Sequence, residues 1–148
     1  MSLLHSEYRD RLAHWQRVLA SDFYRTLESI QFDGFTTIRH LTPGQAAQGP
    51  FCPMAEGTAW GHTWEYMWCR ADITLPEAAA NKTVAMELDL GGEATLFVNG
   101  KAFGTRRAEW VSVPHHYICD NILTHCAQPG ERFSLLFEVY AGHYFPDV

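Results

Sequence analysis

The chain has 148 residues, of which 47% are hydrophobic and 19% charged, and its formal net charge is −6. These values are typical of one folded domain and exclude a disordered chain. The acidic balance argues against a nucleic-acid partner, and no apolar run is long enough for a membrane span. Four cysteines without the spacing of a small secreted domain, and no apolar leader, predict a cytoplasmic protein with reduced thiols.

The first predicted element is a helix over about residues 4–30. Its apolar side chains recur at intervals of three or four and form one stripe, which consists of Leu4, Tyr8, Leu12, Trp15, Leu19, Phe23, Leu27 and Ile30. Gly34 lies just beyond the expected carboxyl end. Because an apolar stripe needs a partner surface, we expect this helix to cover part of a β-sheet.

An irregular connection is predicted over about residues 31–62. Glycine and proline punctuate it at Pro43-Gly44, Gly49-Pro50, Pro53, Gly57 and Gly61. Connections of this length are unusual inside a compact domain, so we expect this one to lie across the surface of a neighbouring domain.

From about residue 63 to residue 148 the hydrophobic period changes to two, which predicts β-strands. Strands are expected over 64–75, 82–90, 93–98, 109–113 and 133–139. Asn99-Gly100 predicts a type I′ hairpin turn, and Lys101 begins the return strand. Short strands with tight turns and no βαβ alternation predict a mainly β, antiparallel sandwich with an amino-terminal amphipathic helix, in one domain over 1–148.

Several segments of the chain resemble the amino-terminal domain of bacterial α-mannosidases of glycoside hydrolase family 38. They are Phe23-Tyr24-Arg25, Trp60-Gly61, the strand led by Trp68, Asp89–Glu93 leading into Leu96–Gly100, and the closing run Glu138–Pro146. The resemblance implies a jelly-roll-like β-sandwich of the galactose-binding type. The chain departs from many relatives after the hairpin, where Gly104–Val111 lacks their aspartate and histidine. This departure leaves the subfamily open.

The resemblance also implies a function. The chain would be a non-catalytic amino-terminal domain of an α-mannosidase, with a role in interdomain support and a contribution to the binding of mannose-containing glycans. In that family the zinc site and the nucleophilic aspartate of the retaining mechanism lie in a later α/β domain. None of those motifs matches here, so we expect no catalytic residue, no metal ligand and no cofactor in this chain. The implied partner is the catalytic domain of the same parent polypeptide, and we expect the chain to be a fragment whose natural terminus lies beyond Val148.

A carbohydrate platform is predicted on the strand that begins at Trp64. Trp64, Tyr66 and Trp68 alternate on one side of it, and aromatic faces stack on sugar rings. The wider set of candidate carbohydrate-binding residues is Trp60, His62, Trp64, Trp68 and Trp110. The alternative, which we favour, is that the amino-terminal helix or a neighbouring domain covers this face. Exposed tryptophans would instead favour an autonomous carbohydrate-binding module.

A second candidate cluster consists of His115, His116, Cys119, His125 and Cys126. Histidine and thiolate are good zinc ligands, but this spacing matches no common zinc module. The sequence leaves open ordinary reduced thiols, a Cys119–Cys126 disulfide, a metal site, or the Cys–His pair of a small autonomous enzyme.

Overall fold

The computed structural model describes residues 3–22, 24–106 and 122–142. The helices and strands follow one another as α1 (Leu3–Asp22), β1 (Phe32–Thr37), α2 (Pro43–Ala46), β2 (Cys52–Met54), β3 (Tyr66–Thr74), β4 (Val84–Ala85), β5 (Glu93–Val98), β6 (Lys101–Arg106), β7 (Ile122–Thr124) and β8 (Arg132–Tyr140). Every pairing between these described strands is antiparallel. The predicted mainly β antiparallel fold with an amino-terminal helix is therefore confirmed.

Six of the strands form one sheet in the order β2-β1-β3-β8-β5-β6. Its centre is the β3–β8 pair, which runs from Tyr66 opposite Tyr140 to Thr74 opposite Arg132. Because successive side chains of a strand point to opposite sides, the sheet has two faces. We call the face that carries Met67 and Phe137 the inner face, and the face that carries Tyr66 and Tyr140 the outer face.

The hydrophobic core lies on the inner face. It joins the six-stranded sheet to a two-stranded sheet made of β4 and β7, and both sheets contribute to one cluster of buried side chains. Leu96, Leu135, Phe137 and Val139 are its largest fully buried members. Each such side chain contributes roughly 1.5–3 kcal/mol to folding, so this cluster is the main source of stability.

The predicted helix over 4–30 is too long, because α1 ends at Asp22 and residues 24–31 are not helical. The expectation that its stripe covers the sheet is also wrong. Tyr8, Leu12, Trp15 and Leu19 are 63%, 63%, 60% and 50% exposed. Helical spacing fixes which side chains share a face, but not what that face contacts.

The predicted irregular connection over 31–62 contains β1, α2 and β2. Gly34, which we interpreted as the end of a helix, instead lies buried in β1. A Cβ atom at this position would come within 2.8 Å of the Met54 Cε atom. The close approach of β1 to its neighbours therefore favours glycine here, and this glycine interrupts the alternation that would have indicated a strand.

Residues 42–51 pack against the outer face of the sheet, and we call this segment the strap. A Cβ atom at Gly49 would lie 2.3 Å from the Phe35 ring, so the strap backbone touches β1 directly. The ring of Phe51 meets the ring of Phe35 edge-on at 4.9 Å, and the Arg70 guanidinium lies 4.2 Å from the Phe51 ring centroid. This part of the connection thus covers its own domain.

Candidate functional site

The structure separates the residues of the predicted carbohydrate platform. Trp60 packs against the core, and His62 is exposed. Trp64 is 58% exposed, whereas Trp68 is completely buried. Trp110 lies outside the described residues. Trp64 and Trp68 therefore do not form one continuous aromatic surface, and Trp68 offers no face to a sugar ring in this arrangement.

Trp64 does not lie in line with Tyr66 and Trp68 because of its own backbone conformation. It precedes β3 and has a φ of 65°. A positive φ is rare for a bulky residue and costs on the order of 1–3 kcal/mol. It also removes Trp64 from the alternation of the strand that follows. Such a conformation persists only where neighbouring groups hold it, and here the Trp64 N–H donates to the Gly142 carbonyl oxygen at 3.1 Å.

Residues 60–65 form a turn held by Glu65, and we call this turn the Trp64 loop. The Glu65 Oε2 atom accepts hydrogen bonds from the backbone N–H groups of Gly61 and His62, both at 2.9 Å. The bond from His62 is the largest cause that lowers the pKa of the Glu65 carboxyl, so the carboxylate form is favoured. The Ala141 N–H closes the turn by donating to the Glu65 carbonyl oxygen at 3.0 Å.

A second feature lies on the outer face, where three rings form a row beside a carboxylate. The His40 ring lies 5.4 Å from the Tyr66 ring, and the Tyr66 ring lies 5.0 Å from the Tyr140 ring. Both tyrosines are half-buried. The His40 Nε2 atom lies 3.5 Å from the Glu138 Oε1 atom. We call His40, Tyr66, Glu138 and Tyr140 the outer-face cluster.

Glu138 occupies a poorly solvated position in this cluster. Its side chain is 16% exposed, and burial raises the pKa of its carboxyl while the charge of His40 lowers it. Among the described residues, its Oε1 atom accepts no hydrogen bond, and the buried Nε1–H group of Trp68 donates none. Glu138 and Trp68 are direct cross-strand neighbours. Buried polar groups are normally hydrogen-bonded, so these two atoms depart from the rule, and the Glu138 Oε1 atom has the ion-pair contact with His40 in place of a hydrogen bond.

The predicted His/Cys cluster is only partly described. His125 and Cys126 are exposed, whereas His115, His116 and Cys119 lie outside the described residues. Within residues 3–22, 24–106 and 122–142, no three histidine, cysteine or acidic side chains come together as a metal site. The metal, disulfide and Cys–His alternatives for this cluster therefore stay predictions.

The fold and its sites define the class of the protein, a mainly β sandwich with a jelly-roll-type core. Within this class, the family model for the jelly-roll domain of alpha-mannosidases matches residues 25–146. The chain belongs to this family, which confirms the resemblance inferred from the sequence, and the jelly-roll domain is not the catalytic domain of such an enzyme. The match begins after α1. Comparison with curated proteins and with solved structures gave no significant match.

The longest of the described helices is α1, with 20 residues. None of them combines the length and the apolar composition that crossing a bilayer requires.

Proposed function

We propose that this chain is the amino-terminal domain of an α-mannosidase and that it supports the catalytic domain of the same parent polypeptide by surface packing. The family match over residues 25–146 carries this proposal. The catalytic zinc and the nucleophile of the retaining mechanism would belong to that other domain. This domain contributes a folded β-sandwich and an apolar stripe on α1 that contacts the neighbouring domain.

Exposed apolar side chains on α1 support the interdomain role. Tyr8, Leu12, Trp15 and Leu19 form a stripe that the described part of this domain leaves at least half exposed. Contiguous exposed apolar surface is typical of interaction sites, whereas single exposed residues need no explanation. The helix also precedes the matched family region, which is consistent with an appendage that packs on another part of the parent protein.

A second candidate function is glycan binding, and the Trp64 loop favours it. The indole of Trp64 is 58% exposed and stands on a hydrogen-bonded turn beside exposed His62. An aromatic group held in a fixed position loses little conformational entropy when a ligand stacks on it. Trp64 and His62 are therefore the predicted platform residues that support glycan binding. They would bind a glycan either within the parent enzyme or as part of an autonomous module.

We also propose a cytoplasmic location for the protein. Cys52, Cys69 and Cys126 are free thiols, and two of them are exposed. Exposed thiols persist in a reducing compartment. Fractionation of the source cells followed by thiol labelling would test this; recovery of the protein with Cys52 or Cys126 oxidised would contradict it.

The test of the leading proposal starts with the source gene downstream of Val148. A reading frame that continues into an α/β domain with zinc-ligating aspartates and histidines is expected. The intact product is then compared with a product that lacks residues 1–146, including α1, and we expect the remaining catalytic domain to lose several degrees of thermal stability or to become insoluble. A stop codon after Val148, or a deletion product of unchanged stability, would refute the support role.

A further inference from the structure

We propose that the Trp64 loop docks onto the domain that follows Val148 in the parent polypeptide, with the indole of Trp64 inserted into an apolar pocket of that domain. This proposal deepens the support role and rests on it, because it names a second surface through which the support acts. It assigns Trp64 to a protein partner instead of a sugar, and it is separate from the contact made by the apolar stripe of α1.

The Trp64 loop lies beside the point where the chain leaves the sheet. The Trp64 N–H donates to the Gly142 carbonyl oxygen at 3.1 Å, and the Ala141 N–H donates to the Glu65 carbonyl oxygen at 3.0 Å. A Cβ atom at Gly61 would lie 3.5 Å from the Ala141 Cβ atom, so the loop and the segment after β8 are in direct contact. Any polypeptide that continues from this segment therefore starts next to the loop.

The short connection limits where the next domain can lie. Gly142 and Val148 are six residues apart, and six residues span at most about 22 Å when fully extended. A domain attached beyond Val148 is therefore tethered close to the Trp64 loop. A tether this short gives it an effective concentration on the order of millimolar at the loop, so a contact with a single anchoring side chain is sufficient.

A strained backbone presents the indole of Trp64 to the outside. Trp64 has a φ of 65°, and its side chain is 58% exposed. Glycine adopts this φ without strain, so the turn alone does not require tryptophan, and strained residues of this kind cluster at functional sites. Tryptophan is enriched among the residues that dominate the binding energy of protein interfaces, because it brings a large apolar area at a small cost in conformational entropy.

The polar groups of the Trp64 loop are already used within the domain. The Gly61 and His62 N–H groups donate to the Glu65 Oε2 atom, both at 2.9 Å, and the Glu65 N–H donates to the His62 carbonyl oxygen at 3.0 Å. A small-molecule site needs a few convergent polar groups that orient the ligand. Since these backbone groups and this carboxylate oxygen are engaged internally, an apolar protein pocket suits the loop better than a polyhydroxylated ligand does.

The experiment compares amide hydrogen exchange in the 148-residue chain and in the intact parent polypeptide by mass spectrometry. We expect peptides that cover residues 60–65 to exchange about tenfold more slowly in the parent, because docking opposes the local opening of the loop. Trp64→Ala in the parent should restore the exchange rate of the 148-residue chain. Trp64→Phe keeps an apolar ring and should retain most of the protection.

Arg132 provides the matched control for these substitutions. It is exposed and lies at the opposite end of β8, where it pairs with Thr74. We expect Arg132→Ala to leave the protection of residues 60–65 in the parent unchanged. Exchange of the core peptides of β8, measured in the same spectra, shows whether each variant is folded.

Four outcomes would overturn the proposal. Equal exchange of residues 60–65 in the chain and in the parent overturns it alone where deletion of residues 1–146 still destabilises the parent, because the support then acts through another surface. Equal exchange together with a deletion that has no effect overturns the support role as well. Protection of the loop by methyl α-mannoside in the 148-residue chain, without protection in the parent, identifies a sugar site instead. A stop codon after Val148 removes the partner and overturns both.

Discussion

Asn99 and Ser134 are joined by two reciprocal hydrogen bonds that tie the β5–β6 hairpin to the central strand β8. The Asn99 N–H donates to the Ser134 carbonyl oxygen at 2.8 Å, and the Asn99 Oδ1 atom accepts from the Ser134 N–H at 2.9 Å. Asn99 has a φ of 51° and Gly100 a φ of 73°, as the predicted type I′ turn requires. The turn residue thus fixes both the hairpin and its place in the sheet.

We expect Asn99→Ala to lower the free energy of unfolding by about 1–3 kcal/mol, because it removes the side-chain acceptor and replaces asparagine, which tolerates positive φ, with alanine, which rarely adopts it. Asn99→Gly keeps the backbone conformation and loses only the acceptor, so its loss should be smaller. Urea unfolding of both variants measures the difference. Equal losses would contradict a contribution from the backbone conformation.

Gly92 is predicted to be intolerant of any side chain. A Cβ atom there would lie 2.5 Å from the Tyr140 carbonyl oxygen. This oxygen belongs to the backbone of β8, which cannot shift without disturbing the strand pairing. We expect Gly92→Ala to cost about 2 kcal/mol or more. Gly44→Ala is the matched control, because nothing lies within 4 Å of a Cβ atom at Gly44. Thermal unfolding of the two variants should differ; equal midpoints would refute this account.

Cys69 should behave differently from the exposed thiols of Cys52 and Cys126. Burial raises the pKa of its thiol to about 12 from 9.0. Iodoacetamide at pH 8 should therefore label Cys52 and Cys126 in the native protein and reach Cys69 only after unfolding, as peptide mass mapping would show. Native labelling of Cys69 at the rate of Cys52 would contradict its burial.

The same shift predicts an alkaline effect on stability. Above pH 9 the unfolded thiol loses its proton while the folded one keeps it, so the free energy of unfolding falls as pH rises toward 12. The free energy of unfolding should therefore fall more steeply with pH in the wild type than in Cys69→Ala, by up to about 1.4 kcal/mol per pH unit.

Glu65 and Glu138 should affect acid stability in opposite directions. The pKa of Glu65 is lowered in the fold, so its contribution is present above the ordinary value of 4.5 and is lost as pH falls through the folded value. The pKa of Glu138 is raised, so ionisation above 4.5 costs stability. Urea unfolding from pH 3 to 7 should show Glu65→Gln less stable than wild type only at the higher pH. The free energy of unfolding of Glu138→Gln should increase relative to that of the wild type as pH rises from 3 to 7. If the free energies of the variants and the wild type change in parallel with pH, both pKa assignments are wrong.

The exposed stripe of α1 should contribute little to the stability of this chain. We expect Leu12→Ser and Trp15→Ser each to change the free energy of unfolding by less than about 0.5 kcal/mol. Leu135→Ala in the core, where Leu135 is 1% exposed, should cost about 2–5 kcal/mol. A core-sized loss at Trp15 would mean that the stripe packs on the sheet.

Much of the sheet could be predicted because its strands have a strong period of two. The predicted 64–75 and 133–139 correspond to β3 (Tyr66–Thr74) and β8 (Arg132–Tyr140), and the predicted 93–98 matches β5. Over 82–90 only Val84–Ala85 forms a strand, although Val84, Met86 and Leu88 are buried as the pattern indicated. The predicted strand over 109–113 lies outside the described residues.

The candidate site was less accessible to sequence reasoning. Alternation along β8 places Glu138 and Tyr140 on the face of the sheet that points away from the core. Pairing of β8 with β3 could have suggested Tyr66 as their neighbour. Nothing local predicts that His40, from the segment after β1, reaches the same carboxylate. The strained φ of Trp64 is likewise a consequence of tertiary hydrogen bonds, which no residue pattern encodes.

The hydrogen bonds from Trp64 to Gly142 and from Ala141 to Glu65 also have a mechanical consequence. They join the start of one central strand to the end of the other, so tension on the polypeptide at Gly142 acts on the Trp64 loop before it reaches the core. These two bonds lie nearer to that end than the β3–β8 pairing, so we expect them to break before it. Motion of any segment attached there would thus be transmitted first to the exposed indole of Trp64.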